Sequence, residues 1–247
     1  MANVQLATSN QIILSYDVNS DANDKNSLPK MIDKTENITN HKVEEIKADS
    51  GYFTKDGIKY CNGKEINAYI PDPLKSKEEK EERENRIPKY DRKNFKYDSE
   101  KDEFICPEGK KLVFRKHDKG CTKYIGTACP GCPVKNECTK SKYRNLTIDP
   151  ELEEFITEMR AKLNSDEGKR KYMERFSDVE PVFGNLKLNQ GFNYFLCRGK
   201  PMVLIELGLQ SISHNFVKIF NWLKRTKKSI SDCITMYGKE IKPATTQ

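Results

Sequence analysis

The spacing of apolar residues changes several times along the 247-residue chain, and each change predicts a different element. Over residues 4–18, β-branched and apolar positions lie on either side of Ser9-Asn10, which predicts a strand, a turn and a second strand. The Asp/Asn/Ser-rich stretch that follows predicts a capped helix ending near Asn40. Residues 43–48 read as a short strand closed by Asp49-Ser50-Gly51, and residues 58–60 and 65–69 read as further short strands. After Pro71 the pattern dissolves. Residues 75–86 are almost entirely charged and read as a solvated helix or a link. Residues 97–138 lack apolar periodicity, which predicts a segment unable to form a core of its own without a cross-link. Helical spacing resumes at Pro150. Leu152, Phe155, Ile156, Met159 and Leu163 share one face, Phe176, Val179, Phe183 and Leu186 continue the spacing, and residues 202–222 form a strongly apolar run expected to pack on the sheet. The result is an α/β pattern, in three parts: a first piece of core over residues 1–74, a charged link and Cys-rich insertion over 75–148, and a helical second piece over 149–247.

Charge adds a partner class. Lys and Arg (44) exceed Asp and Glu (37), for a formal charge of +7, and a basic excess favours polyanions through phosphate neutralisation and counterion release. Residues 1–14 lack a secretory pattern, and no run approaches the roughly 18 apolar residues of a membrane span. The expected setting is therefore the cytoplasm.

Eight cysteines in a reducing compartment point to metal before disulfides. Cys129-Pro-Gly-Cys132 is a ready chelating pair. With Cys106 and Cys138 it supplies the four thiolates of a structural zinc. An iron–sulfur cluster would use the same ligands, and the alternative is a set of free thiols. Cys121 is the odd member, while Cys61, Cys197 and Cys233 read as small core residues.

Two acids stand out. Asp49 closes a strand, where a carboxylate suits a metal ligand at a sheet edge, although a turn or cap is the commoner use. Glu180 lies in Val179-Glu-Pro-Val-Phe-Gly184, with positions 180, 184 and 187 on one helical face. Gly184 costs roughly 1 kcal/mol inside a helix, which predicts close approach of a strand or a ligand there. The competing reading is a capping box from Ser177 to Glu180, with Pro181 in the first turn. Asp17-Val-Asn19-Ser-Asp21 begins like a calcium loop but fails at Ala22 and Leu28, so it reads as helix capping.

Several strings in order carry a resemblance: residues 20–24 (Ser-Asp-Ala-Asn-Asp), 48–52 (Ala-Asp-Ser-Gly-Tyr), Cys129-x-x-Cys132 with Cys138, residues 179–184 with Lys187, Gly191-Phe192, Phe195-Leu196, Arg198-Gly199 and His214-Asn215. Together they resemble DDE-type transposases of bacterial insertion sequences, in the subgroup with a Cys-rich insertion. The resemblance implies a ribonuclease-H-like core, with the Cys-rich zinc module inserted and helices at the C-terminal end. It also implies DNA (transposon ends) as substrate, and three carboxylates that hold two Mg²⁺ ions for strand cleavage and transfer. Asp49 matches the second acid and Glu180 the third. Tyr172, Arg175, Glu180 and Lys187 match the family's Tyr–Arg–Glu–Lys signature, with the Arg-to-Glu spacing one residue longer than its commonest form, and Arg198 joins them as a DNA contact. The first acid lies in the family on a strand before the hairpin where this chain begins. The expectation is a C-terminal fragment that is inactive alone and partnered by its missing N-terminal part or by a full-length transposase. The runner-up is a zinc-bearing nucleic-acid-binding module without catalysis.

Overall fold

The computed structural model describes residues 3–19, 27–75, 78, 83, 88–118, 120–229 and 231. The expected motif at residues 20–24 with its acids Asp21 and Asp24, most of the charged run at 75–86, and Cys233 lie outside the described residues. The fold is mixed α/β, in two compact units: Met1–Ile70 with Ser165–Gln247, and Pro71–Asn164.

The first unit begins with the expected hairpin, β1 (Asn3–Ser9) and β2 (Ile12–Asn19), paired antiparallel with a bulge between Ala7 and Thr8. Both turn residues are left-handed, Asn10 at φ 51° and Gln11 at φ 64°. That suits the twist of a two-residue hairpin, but Gln pays a steric cost there that Gly would not. The surroundings hold it. Gln11 donates its backbone N–H to the Asp178 carboxylate and its side-chain amide to the Ser177 carbonyl (2.8 Å), and its own carbonyl lies 2.8 Å from His214 Nε2.

Alternation gives the hairpin two faces. Val4, Leu6, Ile13, Tyr16 and Val18 pack on the C-terminal helices. The opposite face buries Gln5 and Ser15 against α1 (Ser27–Thr39), where Gln5 donates to Ser27 Oγ (2.7 Å) and Ser15 shares a 2.6 Å hydrogen bond with Thr35. A second, separate pair follows: β3 (Glu45–Lys47) lies parallel to β4 (Asn67–Tyr69). The helix between them, α2 (Lys55–Gly63), corrects the reading of residues 58–60 as a strand. Thr54 caps it by accepting from Gly57 N–H (3.1 Å) and Asp56 sits in its first turn, so local capping outweighs the β-branched Ile58.

The second unit also departs from expectation. β5 (Lys96–Asp98), β6 (Glu103–Ile105), β7 (Lys111–Asp118), β8 (Cys121–Gly126) and β9 (Asn145–Ile148) form an antiparallel meander. It has a core of its own: Phe95, Leu112, Tyr124 and Leu146, with Phe104, Ile148, Cys106 and Cys138 against it. The segment was expected to need a cross-link to form one. Its apolar residues are too sparse to show a period, but five strands bring them to one face. A one-turn helix, α3 (Lys135–Cys138), precedes β9, and α4 (Pro150–Asn164) follows it, burying Met159 and Leu163 of the expected stripe. In this unit Arg160 clamps the fully buried Asp72 through two 2.8 Å hydrogen bonds.

The chain then returns to the first unit with α5 (Asp166–Asp178), the short α6 (Glu180–Gly184), a π turn over Asn185–Asn189 and the long α7 (Lys200–Thr226). One face of α7 packs on the hairpin as expected. Val203 and Leu207 meet Val18, and Gly208 lets Tyr16 close in. Among the described residues no helix is long and apolar enough to cross a membrane.

Candidate active site and metal centre

Asp49 follows β3 directly. Its Oδ1 accepts from Gly51 N–H (2.9 Å) and caps the short 3₁₀ turn Ser50–Tyr52, leaving the carboxylate exposed. The capping use and an exposed carboxylate at a strand end therefore coexist in one residue. β3 is fixed from behind by a ladder of ion pairs: Lys47 bonds Glu45 (2.8 Å) and Glu174 (2.7 Å), and Lys171 bonds Glu45 (2.9 Å). Burial works against the Lys47 charge, yet the hydrogen bonds it donates to Glu174 and Glu45 together hold its ammonium above the usual range.

Glu180 opens α6, with Pro181 in the first turn as expected. The capping box is absent, because Ser177 lies inside α5 and donates to the Glu174 carbonyl (2.9 Å) instead. Glu180 is exposed. The expected close approach at Gly184 is not found: a Cβ there would meet nothing within 4 Å. The shared face of positions 180, 184 and 187 is also altered. Asn185–Asn189 is a π turn, which is wider than an α turn and rotates Lys187 out of the α-helical register. Lys187 is exposed, 6.0 Å over the Phe183 ring. Arg175 stacks over Tyr172 (5.5 Å) and Phe176 (4.9 Å), and its buried Nε has no hydrogen-bond partner among the described residues. Arg198 is exposed in the loop before α7.

Asp49, Glu180 and Arg175 line one cavity of about 800 Å³ within the first unit. Its walls are β1 from Val4 to Ser9, the stretch from Val43 through β3 to Asp49, the inner face of α1 at Leu28, Met31 and Ile32, and the α5–α6 junction. Among the described residues each bordering strand pairs on one side only, β1 with β2 and β3 with β4. The cavity thus lies between two open strand edges with apolar side chains above it. Thr8 Oγ1 is buried beside it without a partner among the described residues. Of the other acids that line it, Glu45 belongs to the ion-pair ladder, Asp178 is bonded to the Gln11 backbone, and Glu44, beside β3, is exposed. Tyr172, Lys187 and Arg198 are not part of the lining.

The second unit holds the cysteines. Cys106, Cys129, Cys132 and Cys138 line one small cavity of about 30 Å³, and Cys121 sits apart, within 3.4 Å of the Asp149 carboxylate. Backbone N–H groups of Lys110 and Arg144 point at the sulfurs of Cys106 and Cys129, both at 3.3 Å. Burial pushes the Cys138 thiol up, the Arg144 charge opposes this, and repulsion from Cys129, Cys106 and Cys132 adds to it. A Cβ on Gly126 would lie 2.5 Å from the Cys129 sulfur, so Gly126 makes room for that side chain. Even so, among the described residues no three Cys, His, Asp or Glu side chains are grouped as the ligands of an ion. The cavity gathers the right donor set, and a tetrahedral Zn–S distance near 2.3 Å would place its sulfurs about 3.8 Å from one another.

Two further residues of the resemblance serve the architecture. Asn215 pairs with both backbone groups of Ile13 (2.9 Å each), as a neighbouring strand would. Buried His214 bridges Asn185 and the Gln11 carbonyl at 2.8 Å each, which requires the proton on Nε2. Nothing in the local sequence signals these two roles, since their partners lie far along the chain.

Residues 105–220, a little under half of the chain, match the family model described as Transposase DDE domain. That match supports a DDE-type transposase. It spans most of the meander, all four clustered cysteines, Glu180 and most of α7, while Asp49 precedes it. No curated protein and no solved structure matches the chain.

Proposed function

We propose that this chain acts in DNA transposition as an insertion-sequence transposase, cleaving and transferring DNA strands with divalent metal at Asp49 and Glu180. The observation that carries the reading is the convergence of these two carboxylates, distant in sequence, on one cavity. Magnesium ions, when bound, would activate an attacking hydroxyl and stabilise the leaving oxygen. The protein's own part is to present the two acids on rigid supports: the ion-pair ladder fixes β3 and the Gln11–Asp178 contact fixes the start of α6. Arg175, Tyr172, Lys187 and Arg198 then serve as contacts to the phosphate backbone.

Two carboxylates hold such ions weakly, and a two-metal site needs a third. Glu45 and Asp178 are engaged elsewhere, Asp17 pairs with Lys200 (3.6 Å), and Glu44, the remaining acid of the lining, precedes β3 and is exposed, so in this reading it does not bridge the ions. The cavity between the open edges of β1 and β3 suits one more strand of the usual five or six residues. In this reading the first unit is a ribonuclease-H-like core completed by that strand, which brings the remaining acid. The Cys-rich unit is a zinc module inserted into the core, and its structural zinc is held by Cys106, Cys129, Cys132 and Cys138.

The expected result is that the isolated chain does not nick or join DNA in Mg²⁺ or Mn²⁺. Activity appears when a strand-forming segment with an Asp is supplied in trans, and Glu180→Gln abolishes it. Strong Glu180-dependent strand transfer by the isolated chain would overturn the need for an added acid.

A further inference from the structure

Helix α7 is apolar on two sides. Its inner face is buried on the hairpin through Val203, Leu207 and Gly208. Its outer face carries Met202, Ile205, Leu209, Ile212, Phe216 and Ile219, each between 44% and 68% exposed. Their spacing is 3-4-3-4-3, the seam of a helix that meets another helix. A broader stripe of 3.6 period would be expected if the face served only to cover a core. At roughly 200 Å² for a large apolar side chain, the exposed part of the six amounts to about 700 Å², close to one partner's share (about 800 Å²) of a standard interface. Val217 and Phe220 extend the same surface.

We infer that the outer face of α7 is a self-association surface, on which two copies of the chain pair their α7 helices antiparallel about a two-fold axis near Ile212. The helix itself argues for a second copy. An isologous pair needs a patch complementary to itself, and a regular 3-4 seam of this length is one. Charge sets the direction. Lys218, Lys224 and Arg225 crowd the C-terminal half, and the one acid of the helix, Glu206, is occupied by the backbone N–H groups of Leu196 and Cys197 (2.9 Å each). A parallel pair would stack the two cationic ends and align the helix dipoles, whereas an antiparallel pair separates the charges and opposes the dipoles.

Analytical ultracentrifugation of the purified full chain should give a dimer at micromolar concentration. Ile212→Glu or Phe216→Glu should raise the dimer dissociation constant by roughly a hundredfold, since each buries an unpaired charge. Circular dichroism and the melting transition of the monomer should stay unchanged, because both side chains point away from the hairpin. Crosslinking with an amine-reactive reagent between isotopically distinct copies should join Lys200 to Lys224. A Lys224–Lys224 link would overturn the antiparallel arrangement. A monomeric wild-type chain, a dimer indifferent to both substitutions, or a monomer that binds anionic vesicles through this helix would overturn self-association.

Discussion

At the scale of single residues, close contacts and buried charge set the stability of each unit. Gly208 lies in the middle of α7, where Ala would normally be the better helix former by about 1 kcal/mol. A Cβ at that position would lie 2.3 Å from the Tyr16 hydroxyl. Gly208→Ala is therefore expected to destabilise the first unit by roughly 1–3 kcal/mol, read by urea unfolding, and Tyr16→Phe in the same chain should recover part of the loss. Asp72 is the second case. Burial favours its neutral form, but the two-pronged Arg160 contact wins and holds the carboxyl below the usual range. A group depressed in the folded state contributes stability above the unfolded value, near 4, and loses it as pH falls through the folded value. Arg160→Ala leaves the carboxylate buried without its cation. It should cost roughly 2–4 kcal/mol at neutral pH, less than the full price of orphaning a buried pair because Arg160 is partly open to water. The wild-type advantage should shrink as pH falls below the ordinary aspartate range, and an advantage that persisted undiminished at pH 2 would rule out this linkage.

At the scale of elements, the contrast between hairpin and meander is instructive. The hairpin was legible because its period is local, although Gln11 at a left-handed turn position depends on Asp178 and His214, contacts that no window of sequence contains. The meander was not legible as a folded unit, since each of its strands offers at most two apolar side chains to the core, which exists only once the strands are in register. Residues 58–60 failed for the opposite reason: local apolar content pointed to a strand, and the Thr54 cap three residues before Gly57 decided for a helix. The cysteine cavity joins these elements to the proposed metal. Purified chain should carry about one zinc, and Cys129→Ser should release it and loosen residues 97–140 in hydrogen exchange while the first unit keeps its protection. Metal analysis that finds neither zinc nor iron would remove the cross-link, leaving the meander to stand on Phe95, Leu112, Tyr124 and Leu146. Gly126→Ala should act like a mild form of the same lesion, because it crowds the Cys129 sulfur.

At the scale of the whole molecule, the basic excess and the exposed cations of the first unit give an expectation for DNA. Binding should be tolerant of sequence and steeply dependent on salt, and Lys187→Ala should weaken it and reduce the salt slope by about 1. Affinity indifferent to salt would exclude phosphate contacts as its source. By itself, the sequence determined the mixed α/β character, the hairpin, the long helices, the four candidate thiols and the two candidate acids, because period, capping and chelate spacing are properties of neighbouring residues. Tertiary structure decided what those residues meet. It brought Asp49 and Glu180 to one cavity bordered by β1 and β3, engaged Asp178 and Glu45 elsewhere, and turned His214 and Asn215 into fasteners of the hairpin. Each of these depends on contacts between segments far apart in the chain, which packing and backbone pairing select and which local pattern does not encode.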